Sequence, residues 1–191
     1  MSKQFDDRFV FVDLETTGLD PKGGLVLEVA VVITDAGLNQ LDAANFIGAH
    51  NNEALDMALD DYTLRMHTEN GLLKDVGSLA KISTASVGVT HTILDAEILA
   101  FLQGHCIENA PLAGSSVHFD RAWINEHLPL TAGLFHYRNI DVSSMREALK
   151  RINPRMNPNI PQVGTAHRAM GDILTTIETL RVIAKISGWR Y

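Results

Sequence analysis

A single cysteine, Cys106, stands in this chain of 191 residues. No disulfide can form within the chain, and no second cysteine is present to build a zinc site with the first. Free cysteine packs well in apolar interiors, so Cys106 is expected in the core. Long apolar runs are also missing. Nothing approaches the roughly 18 consecutive apolar residues of a membrane-spanning helix, and the opening residues, MSKQFDDRF, lack the apolar centre of a secretory signal. A cytoplasmic protein with no membrane attachment is the expectation. Basic residues are in short supply as well, with 16 Lys and Arg against 23 Asp and Glu and a formal charge of −7. That balance argues against coating a long nucleic-acid duplex, which needs many cationic contacts with phosphate. It leaves room for short or locally gripped nucleic acid, because clustered carboxylates can hold divalent cations that present positive charge to a phosphodiester.

What is present suits one globular domain spanning residues 1–191, with 46% hydrophobic and 20% charged residues. Arg8 to Asp13 and Leu25 to Thr34 are β-rich runs separated by the turn-forming stretch TGLDPKGG, which predicts a hairpin. Leu38 to His50 offers a weaker third strand. Leu55 to Lys81 is helical in pattern and broken at Asn70-Gly71, and an amphipathic helix with a Thr cap is expected over Thr90 to Gly104. Short strands at Pro111 to Ser115 and Tyr137 to Asp141 each lead into a helix, the second over Val142 to Arg151. The stretch NPRMNPNIPQ reads as a loop before a last helix, roughly Ala166 to Ile186. Strands first, then strands alternating with helices, indicate an α/β domain with a mixed sheet covered by helices.

Asp13 and Glu15 lie two apart at the end of the first strand, so both carboxylates point the same way. Asp120 sits in GSSVHFDRAWI, on a helix that follows a strand. His167 and Asp172 sit in GTAHRAMGD. Five residues are about 140° apart on a regular helix, so His167 must occupy an irregular first turn or precede the helix if both are to meet one substrate. Gly164 and Thr165 offer the approach and a possible N-cap. Each acid taken alone reads as a solvated surface group. Together, four carboxylates and a histidine suit two Mg²⁺ or Mn²⁺ ions roughly 4 Å apart, acting on a phosphodiester attacked in line. The histidine would take the proton of the attacking water, since an imidazole titrating near pH 6.5 is a usable base.

DLETTGLD, the Asp120 helix and the His167-x4-Asp172 spacing, in that order, resemble the three exonuclease motifs of the DEDDh superfamily, which has a ribonuclease H-like fold. LEVAVVITDAGLNQL, RMHTENGLL, FHYRNIDVSSM and GTAHRAMGDI are similar to strings of the oligoribonuclease family within it. The resemblance implies a homodimer that trims short single-stranded RNA from the 3′ end, dinucleotides best. Carried over, Asp13, Glu15, Asp120 and Asp172 become metal ligands and His167 the base. Leu19 and Tyr62 would wedge the bases, while Tyr137 of the partner subunit, Arg138 and Ser143 would close off the 5′ phosphate. Ser115 and Ser116 fall where the family has Asn-Ser near the substrate, and His67 falls in a substrate-side loop. Two positions depart from the pattern: Tyr62 replaces a usual Trp, and His118-Phe119 replaces Gly-Gln. His50, His91, His105, His127 and His136 have no neighbours at metal-ligand spacing and read as surface or core residues. The alternatives are a DNA-trimming or proofreading exonuclease of the same superfamily, since the motif set does not show what reads the 2′-OH, and a non-catalytic nucleotide-binding module. FHYRNIDVSS favours the RNA branch. The module would be expected to have lost a ligand or the base, and all five residues are present.

Overall fold

The computed structural model of the protein describes residues 6–81, 87–155 and 167–189. Strands β1 (Phe9–Thr16), β2 (Val26–Thr34) and β3 (Gln40–Ile47) form an antiparallel meander. β4 (Ala110–Gly114) and β5 (Phe135–Asp141) then add in parallel beside β1, giving the order β3-β2-β1-β4-β5. The helices among the described residues are α1 (Asn52–Ala58), α2 (Asp61–Glu69), α3 (Leu72–Ala80), α4 (Val87–Gly104), α5 (His118–His127), α6 (Pro129–Ala132), α7 (Val142–Ile152) and α8 (Ala169–Ile186). The expected mixed sheet flanked by helices is what forms.

Alternation along the two central strands sorts the chemistry onto two faces. Val10, Val12 and Leu14 of β1 pack with Leu94, Ile98, Trp123 and Ile124 from α4 and α5. Phe11 of β1, with Ala30 and Val32 of β2, faces Ile173 and Ile177 of α8 on the other side. Both faces being covered, every residue of β2 is buried, which explains its nearly unbroken apolar sequence. A third cluster, Leu25, Leu27, Leu55, Leu72 and Val76, seats α1 and α3 against the start of β2.

Several boundaries differ from expectation. β1 continues through Thr16, so Asp13 and Glu15 lie within the strand rather than closing it, paired with Ala30 and Glu28. The 55–81 stretch holds three helices. It breaks at Asn70-Gly71 as expected, and also before α2, where the Asp60 side chain accepts the Thr63 N–H at 2.7 Å. α4 begins at Val87 instead of Thr90, whose hydroxyl donates to the Ala49 carbonyl at 3.1 Å. Cys106 is exposed, because the left-handed turn after α4 (φ 53°) swings it outward and leaves the core place to Ile107. Most of NPRMNPNIPQ, together with Gly164 and Thr165, lies outside the described residues.

Candidate active site

The two faces place the carboxylates. Asp13 and Glu15 follow Phe11 at alternate positions of β1 and therefore point to the α8 side, where α8 begins at Ala169. His167 precedes that helix in a left-handed conformation (φ 46°), which removes the 140° conflict with Asp172 in its first turn. A histidine held there costs about 1–3 kcal/mol and persists only where its surroundings fix it. Ligand atoms of Glu15, His167 and Asp172 all lie within 4.8 Å of one another. Asp120 approaches from the opposite face. Its Oδ1 accepts the Leu14 N–H at 3.0 Å, between Asp13 and Glu15, which pins the start of α5 to β1. Gly114, at the end of β4, leaves room for β1 and for Val117 just before α5, since a Cβ there would stand 2.9 Å from the Val12 carbonyl oxygen and 3.1 Å from the Val117 side chain.

A cavity of about 320 Å³ opens beside Glu15 and His167, walled by Leu19, Tyr62, Met66 and Phe119. Leu19 is 86% exposed and Tyr62 68%, so neither is a core residue. The loop carrying Leu19 is tied at its base, where Leu25 N–H donates to Thr17 Oγ1 at 2.9 Å and Thr17 N–H to the Leu25 carbonyl at 3.1 Å. His67 does not reach the cavity, contrary to the sequence expectation of a substrate contact. It is fully buried on the same inner face of α2 as Thr63, its Nε2 donates to the Thr16 carbonyl at 3.0 Å, and its Nδ1 stands 4.0 Å from Glu15 Oε2. It packs behind Glu15.

None of the remaining expected contacts lines the cavity. Two of them, Ser116 and Ser143, meet around Asp141, the N-cap of α7. Its Oδ1 accepts from Ser116 N–H and Ser143 N–H, each at 3.0 Å, and from Ser143 Oγ at 2.7 Å. Burial opposes ionisation of Asp141, but the hydrogen bonds from Ser143, Ser144 and Ser116 hold its carboxyl below the ordinary range. Ser115 is half-buried just before this cluster. Between the pairs Pro111–His136 and Leu112–Asn139, β5 has two extra residues, Tyr137 and Arg138, which bulge outward. Tyr137 is 76% exposed, with the Arg138 guanidinium 4.9 Å from its ring centre.

The exonuclease family model matches residues 10–180. An oligoribonuclease of Corynebacterium glutamicum (strain R) is 40% identical over 177 residues, covering 92% of this chain and 77% of that protein. The oligoribonuclease of Pseudomonas aeruginosa (strain PAO1) is 34% identical over 179 residues, covering 93% and 94%. The chain belongs to the oligoribonuclease family of exonucleases. Its fold is similar to Escherichia coli exonuclease I in complex with a 5cy-dT13 oligonucleotide, with a TM-score of 0.66 at 16% identity over 95% of this chain. The chain spans about two-fifths of that protein, 41%. It is also similar to the Mg²⁺- and Mn²⁺-bound form of Schizosaccharomyces pombe Pop2p, with a TM-score of 0.66 at 13% identity, covering 93% of this chain and 82% of that one.

Exonucleases of this superfamily use divalent metal ions, and the donor set in this member fits them. Burial pushes Asp13 well above the usual carboxylate range, and the charges of Asp120, Glu15 and Asp172 add to the effect. Burial first, then Asp172 and Glu28, push Glu15 up to about 8. Asp120 is pushed up to about 7 by burial. Burial also raises Asp172, against the opposing influence of His167, and its Oδ1 is buried with no hydrogen-bond partner among the described residues. Crowded carboxyl oxygens whose ionisation is opposed until a cation offsets their charge are the donors that Mg²⁺- or Mn²⁺-like cations take.

Three features escaped the sequence reading. Asp141 carried a local signal, an Asp ahead of Val-Ser-Ser at a strand end, which is an N-cap pattern. Phe119 was noticed only as a departure, yet it walls the cavity and packs on Trp123, ring centres 6.0 Å apart. His50, His91 and His127 meet in series, edge to face and then tilted, with ring centres 5.4 and 4.4 Å apart. Their separation along the chain hides this.

Proposed function

We propose that the chain is a metal-dependent 3′-to-5′ exoribonuclease that trims short single-stranded RNA, dinucleotides best, as a cytoplasmic homodimer, and that residues 1–191 make up one exonuclease domain. Asp13, Glu15, Asp120 and Asp172 hold two Mg²⁺ or Mn²⁺ ions, and His167 is the general base. The observation that carries the reading is the meeting of Glu15, His167 and Asp172 within 4.8 Å, beside a cavity that Glu15 and His167 line together with Leu19, Tyr62, Met66 and Phe119. Bound there, the cations would ease ionisation of the attacking water and offset charge on the phosphate.

The residues of the chain supply the rest. His167 accepts the proton of the water as its oxygen attacks phosphorus and the 3′ oxygen of the preceding nucleotide leaves. Leu19 and Tyr62, exposed on two sides of the cavity, receive the bases, Tyr62 by stacking. Phe119 adds an apolar wall where the family pattern has a polar residue. Tyr137 of the partner subunit, with Arg138, Ser143, Ser115 and Ser116, closes the 5′ end. The exposure of Tyr137 and its absence from the walls of the cavity in its own chain support donation across a dimer. His67 supports Glu15 from behind and touches no substrate.

The test is time-resolved product analysis on end-labelled RNA of two to seven nucleotides with Mg²⁺ or Mn²⁺, run beside DNA dinucleotides. Dinucleotide RNA should be cut fastest. Equal cleavage of heptamers would leave a general short-RNA exonuclease, and faster cleavage of DNA would overturn the RNA assignment.

A further inference from the structure

Glu28 lies directly opposite Glu15 in the β1–β2 pairing, on the face that carries the candidate ligands, and is 1% exposed. A fifth carboxylate here would ordinarily be another cation ligand. Its oxygens are already occupied. Oε1 accepts from Arg168 Nη2 at 2.9 Å and Asn45 Nδ2 at 2.8 Å, and Oε2 accepts the Ala169 N–H at 3.1 Å. Arg168 Nε adds contacts of 3.2 Å to both oxygens. Two of these partners, Arg168 and Ala169, are the residues that follow His167. Arg168 is the N-cap residue of α8 but makes no side-chain cap bond, and Glu28 supplies the missing acceptor from another element.

The other side of His167 is held as well. The Asn70 side-chain amide donates to the His167 carbonyl, while Asn70 Oδ1 accepts the Leu72 N–H at 3.0 Å. Arg168 also pairs with Asp75 of α3 at 3.1 Å. The left-handed histidine is therefore gripped at its own carbonyl and at the next two residues.

We infer that Glu28, Arg168 and Asn70 form a clamp that sets the conformation of His167, making Glu28 a positioning residue that acts through the histidine and not a cation ligand. This rests on the proposed role of His167. Glu28→Gln keeps the shape of the side chain and weakens its hold on Arg168. It should lower the single-turnover rate and kcat on an RNA dinucleotide tenfold or more, with KM changed less than threefold. In a His167→Ala background the same substitution should cost less than a further threefold, because the residue it positions is gone. Asn70→Ala, on the partly exposed side of the clamp, should follow the same pattern.

A readout without metal completes the test. The Cα and Cβ NMR shifts of His167 in chelated protein report its backbone conformation, and in both variants they should move from left-handed toward averaged values. Two results overturn the clamp: a rate loss that is multiplicative in the His167→Ala background, or unchanged carbon shifts. If His167→Ala alone is as fast as wild type, the proposed base fails, and the carbon shifts then decide the clamp by themselves.

Discussion

Replacing Glu15 with Gln should stabilise the metal-free protein while destroying its activity. Glu15 is 7% exposed, and its carboxyl is pushed from 4.5 up to about 8 by burial and by the charges of Asp172, Glu28 and Asp120. Because the folded value lies above the unfolded one, the two states differ little below pH 4.5, where both are protonated. As pH rises from there, the unfolded chain ionises freely and the folded chain cannot, so stability falls until about pH 8 and then levels off. Two and a half pH units at about 1.4 kcal/mol each put the penalty near 3 kcal/mol at pH 7, and it approaches about 5 kcal/mol above pH 8. A glutamine amide, neutral at every pH, avoids it. Urea unfolding of wild type and Glu15→Gln in chelator should give similar stabilities at pH 4.5 and a gain of about 3 kcal/mol for the variant at pH 7. At about 2–4 °C per kcal/mol, that is a rise in Tm of about 6–12 °C. Saturating Mn²⁺ should shrink or reverse the gain, since cations bind and stabilise the wild-type native state more strongly. The difference between the two proteins cancels titrations remote from Glu15, such as those of His50 and His91, while Asp13, which the Glu15 charge also raises, adds to the gain in the same direction. A gain equal at pH 4.5 and 8.5, or one that shrinks as pH rises, would refute the electrostatic reading of the site.

Asp13→Asn and Asp172→Asn should each abolish hydrolysis with the fold retained, and near-wild-type turnover of either in Mn²⁺ would remove them from the ligand set. His167→Ala should slow the chemical step by about 10²- to 10⁴-fold under single-turnover conditions, with dinucleotide affinity little changed. A mixed dimer of one Tyr137→Ala chain and one Asp172→Asn chain tests sharing between subunits: donation in trans leaves one complete site and an active heterodimer, and an inactive one argues for donation in cis. Tyr62→Ala should weaken dinucleotide binding about tenfold or more, and Tyr62→Trp should tighten it modestly, because stacking on an aromatic side chain contributes about 1–3 kcal/mol per base. Isothermal titration to the Asp172→Asn protein would measure both, and unchanged affinity would make Tyr62 a bystander.

The local rules of the backbone made much of this protein legible from its residues. Two-residue alternation alone put Asp13 and Glu15 on one face, and the pitch of a regular helix required His167 to leave the helix that carries Asp172, which it does by a left-handed residue before Ala169. Asn70-Gly71 marked a real break, and Gly71 takes a φ of 81° there. These readings depend on geometry within a few residues, which sequence specifies directly. What tertiary structure decided are the contacts between elements far apart in the chain. Glu28 and Arg168 are 140 residues apart, and nothing near either one names the other. His67 looked available to substrate because RMHTENGLL resembles a substrate-side loop of the family, and only packing determined that its side chain turns inward to Thr16 and Glu15. The three neighbouring histidines come together because their elements converge there, with His91 Nε2 accepting the Val26 N–H and His50 bonded to the carbonyl of the same residue. Pairings of this kind follow from which face of the sheet each helix covers, a global outcome of core packing that spacing along the chain does not encode.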